Sequence, residues 1–130
     1  MRAAAATYAA LVVLAVVWDA VAPLPADAEA ARVLADLDPW AALAVMVLGA
    51  VVEEVAIRAA LWRLLRPLSA VSRVGVSAIA FGGLHAVSDP LHGLYATAAG
   101  VVLGIARERA GFAPTTAAHV AINATAWALS

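Results

Sequence analysis

Long apolar runs separated by short polar punctuation divide this chain into five segments. The first, residues 3–22, is interrupted only by Thr7 and Asp19. A polar stretch at residues 23–38 carries Pro23, Pro25 and a run of acids. Asp38-Pro39 then reads as a helix start, with Asp at the N-cap and Pro at the first helical position, where its missing N–H costs nothing. That second helix runs to about residue 65 and ends before Pro67. A third is expected over about residues 74–88. Asp89-Pro90 repeats the start signal and opens a fourth helix to about residue 106, stopped by Gly111. A fifth occupies about residues 112–129. Such runs are of the length that crosses a bilayer, about 20 apolar residues. The pattern predicts an all-α, polytopic transmembrane helix bundle of about five helices. Residues 1–38 form a first helix and an acidic linker, and residues 39–130 a four-helix core.

Composition points the same way. The chain has 130 residues, 65% of them hydrophobic and 13% charged, and its mean hydropathy is +0.95. A soluble domain carries roughly a quarter charged residues, so the polar material here cannot coat a globule. There is no basic patch, so nucleic acid is not an expected partner; the lipid bilayer is. Cysteine is absent, which removes disulfides, thiolate metal sites and cysteine nucleophiles together.

Charge distribution sets an orientation. Inner loops of membrane proteins are enriched in Lys and Arg. On a five-helix path Arg2, Arg63, Arg66, Arg73, Arg107 and Arg109 fall on one side, and Asp27, Glu29, Asp36, Asp38 and Asp89 on the other, with Arg32. The N-terminus is therefore expected inside a multi-pass protein of the cell membrane. Arg2, the apolar run and the Ala26-x-Ala28 step also resemble a signal peptide. The run is long for one, and an uncleaved helix is the favoured reading.

Polar residues inside the apolar segments carry the chemistry. An ionisable group in hydrocarbon costs about 2.5–3.5 kcal/mol on the lenient scales, yet the second helix holds Glu53, Glu54 and Arg58. A helix end that snorkels to the inner surface accounts for Arg63 and Arg66, and partly for Arg58. It fails for Glu53, ten residues before Arg63 and hence roughly 15 Å deep. His85 follows Arg73 by twelve residues and His119 follows Arg109 by ten, which gives roughly 15–18 Å. Three helices therefore bring polar groups to one level.

Glu54 and Arg58, four apart, can pair on one face. Glu53 points about 100° away and is free for another partner. His119 and Asn123 stack an imidazole and an amide at the same spacing, and Phe81 lies one turn before His85, where it can wall the pocket. A carboxylate with a histidine can activate water. A second histidine with an amide offers donors for an oxyanion. His92, just after the Asp89-Pro90 turn, reads as incidental. Ser77, only four residues after Arg73, lies too near the inner surface to act as a nucleophile with His119.

Glu53-Glu54-Val-Ala-Ile-Arg58 fits EExxxR, Phe81-Gly-Gly-Leu-His85 fits FxxxH, and His119-Val-Ala-Ile-Asn123 fits HxxxN. In this order they resemble the three motifs of the CPBP family, the CAAX proteases and bacteriocin-processing enzymes, over about residues 39–130. The resemblance implies an intramembrane endopeptidase in which Glu53, assisted by His85, is the base on water. His119 and Asn123 would stabilise the oxyanion, and Glu54 and Arg58 would hold the charge geometry. The implied substrate is a membrane-embedded peptide or lipidated protein. No cofactor is required on the favoured reading; zinc is the alternative, although HExxH is absent.

Two departures stand out. Ile57 and Ala59 flank the arginine where the family has Phe and Gly, and a single helix precedes the core, so a homo-oligomer would be one way to enclose the site. Two other functions share these residues: a proton- or ion-coupled transport component, since buried Glu and His also relay protons, and a non-proteolytic immunity or binding protein. Gly100 and Gly104 form GxxxG with Ala96 extending the stripe, small residues that let helices approach closely. Gly82 and Gly83 beside His85 are expected to admit a neighbouring backbone or a substrate.

Overall fold

The computed structural model describes residues 1–22, 36–87 and 89–129. Among them are five helical segments and no strand: α1 (Arg2–Val21), α2 (Pro39–Leu64), α3 (Ala70–His85), α4 (Pro90–Ala110) and α5 (Phe112–Leu129). Most of the expected linker, with Asp27, Glu29, Arg32 and the Ala26-x-Ala28 step, lies outside the described residues, as does Ser88.

The two Asp-Pro starts form as expected. Asp38 Oδ1 accepts from the N–H groups of Trp40 and Ala41, at 3.0 and 3.2 Å. Asp89 Oδ1 accepts from Leu91 N–H at 3.0 Å. Gly111, at φ +92°, ends α4 in a conformation that favours glycine. Two boundaries differ from expectation. α3 begins at Ala70 because Ser69 caps it, its Oγ accepting from Ser72 N–H at 3.1 Å. It ends at His85, because the tail of the segment turns to deliver Asp89 in extended backbone (φ −152°, ψ 123°) before Pro90.

A third difference concerns α2. It is α-helical over Pro39–Glu54 but π-helical over Val55–Leu61, so that Trp62 N–H reaches Ile57 O, five residues back. π-turns are rare and are frequently found at functional sites. This one directly follows the Glu53–Glu54 pair.

α3 and α4 pack most closely. A Cβ on Gly100 would stand 3.0 Å from Ala78 Cα, one on Gly104 3.1 Å from Val74 Cγ1, and one on Gly82 2.7 Å from Gly93 O and closer still to Thr97 Oγ1. Small residues therefore hold these backbones together. α1 lies on α4 and α5, with Leu11 packed against Ala99 and Leu103 and Tyr8 Oη 3.0 Å from Thr125 Oγ1. α2 leans on α5 along its α-helical part and meets α3 through the π-turn. Large apolar side chains point outward on each of these helices, among them Val13, Val16, Leu48, Val52, Ile79 and Leu84. α1 and α2 are long and apolar enough to cross a membrane. Glu54, Arg58, Ser77, Thr115 and His119 are buried inside.

Candidate active site

The site is built where α2, α3 and α5 meet. Glu54 and Arg58 are fully buried, with Arg58 Nη1 3.1 Å from Glu54 Oε1. Snorkelling therefore does not apply to Arg58, contrary to the partial role expected from sequence. The π-turn keeps it inside the bundle, where Nη2 donates to Gly100 O of α4 at 3.4 Å. The Phe81 ring lies beneath, its centroid 4.5 Å from the guanidinium carbon. A buried charge needs such partners, because the desolvation it suffers amounts to several kcal/mol.

Glu54 Oε1 is shared. It also lies 3.0 Å from His119 Nδ1. A carboxylate paired with an arginine is an acceptor only, so His119 Nδ1 carries the proton of this bond. The ring's other nitrogen, Nε2, points at Glu53 Oε2, 3.6 Å away. His119 thus stands between both glutamates.

Glu53 lies on the other side of the His119 ring. Its side chain is 31% exposed, and Oε1 lies 3.9 Å from His85 Nε2. His85 Nδ1 sits 2.8 Å from the Phe81 carbonyl oxygen, which can only accept. That fixes the hydrogen on Nδ1 and, in the neutral ring, leaves a lone pair on Nε2 toward Glu53. Both contacts of Glu53 are longer than a hydrogen bond, a spacing that suits a bridging water.

Phe81 joins the parts. Its centroid is 4.6 Å from the His85 ring and 5.6 Å from the His119 ring, the latter edge-on at 80°. Phe81 thus touches Arg58, His85 and His119 together. Asn123, half-buried one turn beyond His119 on α5, makes no side-chain hydrogen bond among the described residues.

Five of the six residues singled out from sequence are in mutual contact, and Asn123 is adjacent on the same helix. Sequence reasoning passed over His92, whose ring centroid is 5.1 Å from that of His85. The signal was present: His85 and His92 flank a tight Asp-Pro turn, which folds one helix end onto the next helix start. It also passed over Arg107, whose Nε donates to Arg58 O at 3.1 Å. Ser77 is buried with its hydroxyl bonded to Val74 O at 3.1 Å, away from this cluster.

Among the described residues, no group of three or more His, Asp and Glu side chains takes up a metal-holding arrangement. Neither the curated proteins nor the solved structures give a match to the chain. One family model does match, over residues 35–125, and its description is type II CAAX prenyl endopeptidase Rce1-like. That match covers well over half of the chain and contains every residue of the cluster, so the protein belongs to the Rce1-like family of membrane-embedded CAAX-type endopeptidases.

Proposed function

We propose that this chain is an intramembrane endopeptidase that hydrolyses a peptide bond with a water activated by Glu53 and His85. The observation that carries this reading is the placement of Glu53 Oε1 3.9 Å from a His85 nitrogen whose lone pair faces it. A water between them has two acceptors for its two hydrogens. Its oxygen lone pairs are then free to attack a carbonyl carbon.

The placement of His119 supports a separate role for it. Nδ1 donates to Glu54, itself paired with Arg58, and Nε2 faces Glu53 Oε2 at 3.6 Å. In the doubly protonated ring Nε2 would offer a second N–H to a bound substrate.

The steps balance. Water oxygen bonds to the carbonyl carbon as its proton passes to the Glu53–His85 pair. The carbonyl oxygen becomes an oxyanion that accepts hydrogen bonds from His119 Nε2 and the Asn123 amide. Collapse breaks the C–N bond, and the held proton passes to the leaving amine. Glu54 and Arg58 hold His119 without touching substrate. No metal is required in this scheme.

The family supports a membrane-associated, prenylated protein as substrate. The outward apolar side chains on all the helices support a multi-pass arrangement, and the arginine-rich ends of α2, α3 and α4 support an N-terminus inside the cell. Cleavage of a farnesylated C-terminal peptide by the purified chain in liposomes is the test, with Glu53→Gln and His85→Ala beside the parent. Loss of cleavage in both is expected. Equal cleavage by all three would overturn the assignment.

A further inference from the structure

Arg107 lies outside the three motifs and outside the chemistry just described, yet it is bonded to the backbone of the residue that neutralises the site. Its Nε donates to Arg58 O at 3.1 Å across the α2–α4 seam. Its guanidinium carbon lies 5.8 Å from the ring centroid of Trp62, one turn beyond Arg58. The contact is reciprocal. Arg58 Nη2 donates to Gly100 O, and Gly100 precedes Arg107 by seven residues, two turns up the same face of α4. Each arginine thus donates to the backbone of the other's helix.

The carbonyl that Arg107 holds belongs to the π-turn. A carbonyl oxygen has two lone pairs, so Arg58 O can accept Arg107 in addition to any partner within its helix. Arg58's own side chain is held by charge more than by directional bonds. Its bond to Gly100 O is long, at 3.4 Å, and Nε and Nη1 make no well-aligned hydrogen bond among the described residues. The contact of Nη1 with Glu54 is ionic, at 3.1 Å. A guanidinium so placed takes its position from its backbone.

We infer that Arg107 is a positioning residue: by fixing the Arg58 carbonyl it sets where the Glu54–Arg58 pair stands, and through Glu54 Oε1 the orientation of His119. The kinetic consequence rests on the protease reading, whereas the effect on His119 does not. Three substitutions separate the possibilities. In Arg107→Gln, Nε2 occupies the bond position of the arginine Nε and keeps a donor there without charge. Arg107→Lys keeps the charge without a donor at that position. Arg107→Met keeps neither.

The test uses the full chain in nanodiscs with ¹⁵N-labelled histidine, the His119 ring signals being assigned with His119→Gln, alongside cleavage kinetics. Arg107→Met is expected to shift the His119 ring resonances. It should lower kcat roughly tenfold to hundredfold, as a small misplacement of a working group does, with KM nearly unchanged. Arg107→Gln is expected to restore both, and Arg107→Lys to fall between. His119 resonances in folded Arg107→Met identical to the parent's would overturn the inference. So would full function in the Lys variant with failure of the Gln variant, since that assigns the role to charge alone. Should the Met variant not fold, the Gln and Lys variants decide by the same readouts. If the parent cleaves nothing, the protease reading fails and the resonance comparison still stands.

Discussion

His119 Nδ1 lies 3.0 Å from Glu54 Oε1, the same oxygen that Arg58 Nη1 approaches at 3.1 Å. One carboxylate oxygen therefore organises both a buried cation and a working imidazole. Removing its charge leaves Arg58 buried without compensation, a change that costs about 3–5 kcal/mol. Glu54→Gln is expected to lower stability by about that much, read by denaturant or thermal unfolding in detergent. An unfolding midpoint equal to the parent's would mean that Arg58 is neutralised elsewhere.

Glu53 should behave in the opposite way. It is 31% exposed and makes only long contacts, at 3.6 and 3.9 Å. Glu53→Gln is expected to cost less stability than Glu54→Gln, since its side chain is partly exposed and its contacts with His85 and His119 are long. Its kcat should fall by about 10²–10⁴, the range for loss of a general base. Two adjacent glutamates thus divide stability and chemistry between them. A stability loss at Glu53 as large as that at Glu54 would contradict this division.

Much of that division was legible in the sequence, and the reason is spacing. Glu54 and Arg58 share a face at i, i+4, while Glu53 is turned about 100° away. The depth count from Arg63, Arg73 and Arg109 brought Glu53, His85 and His119 to one level, and they meet there. What stayed hidden depends on contacts between helices. The π-turn at Val55–Leu61 leaves no mark in hydrophobic periodicity. The sharing of Glu54 by His119, and the hold of Arg107 on Arg58 O, join residues far apart in sequence. α3 began earlier than expected because hydrophobicity marks where a helix enters lipid, whereas Ser69 marks where it is capped.

The α3–α4 seam should discriminate between neighbouring glycines. A Cβ at Gly82 would meet Gly93 O at 2.7 Å and Thr97 Oγ1 nearer still, while one at Gly83 has nothing within 4 Å among the described residues. Gly82→Ala is expected to destabilise by about 1–3 kcal/mol, the usual effect of overpacking. Gly83→Ala should be neutral or slightly stabilising, since alanine is the better helix former. Thr97→Ala added to Gly82→Ala should recover only part of the loss, because the Gly93 carbonyl remains. Equal stabilities for the two alanine variants would show that α3 and α4 can separate without cost.

Chelation addresses how the water is activated. In the proposed scheme His119 Nδ1 is occupied by Glu54 and His85 Nδ1 by the Phe81 carbonyl. On that scheme water is activated between His85 Nε2 and the Glu53 carboxylate, 3.9 Å apart, without a metal. Cleavage by protein treated with a zinc chelator and dialysed is expected to equal that of untreated protein. Activity lost on chelation and restored by zinc would move water activation from the Glu53–His85 pair to a metal.

The orientation is testable in the native background because the chain contains no cysteine. Leu68 follows the arginine-rich end of α2 and is 41% exposed; Leu37, beside the Asp38 cap, is 38% exposed. If the arginines mark the inner side, Leu37→Cys should react with a membrane-impermeant maleimide added to intact cells. Leu68→Cys should react only after the membrane is opened. Each position is accessible and outside the buried cluster, so neither substitution disturbs Glu54 or Arg58. The reverse pattern would place the N-terminus outside. Reaction of both residues in intact cells would mean that α2 does not cross the membrane.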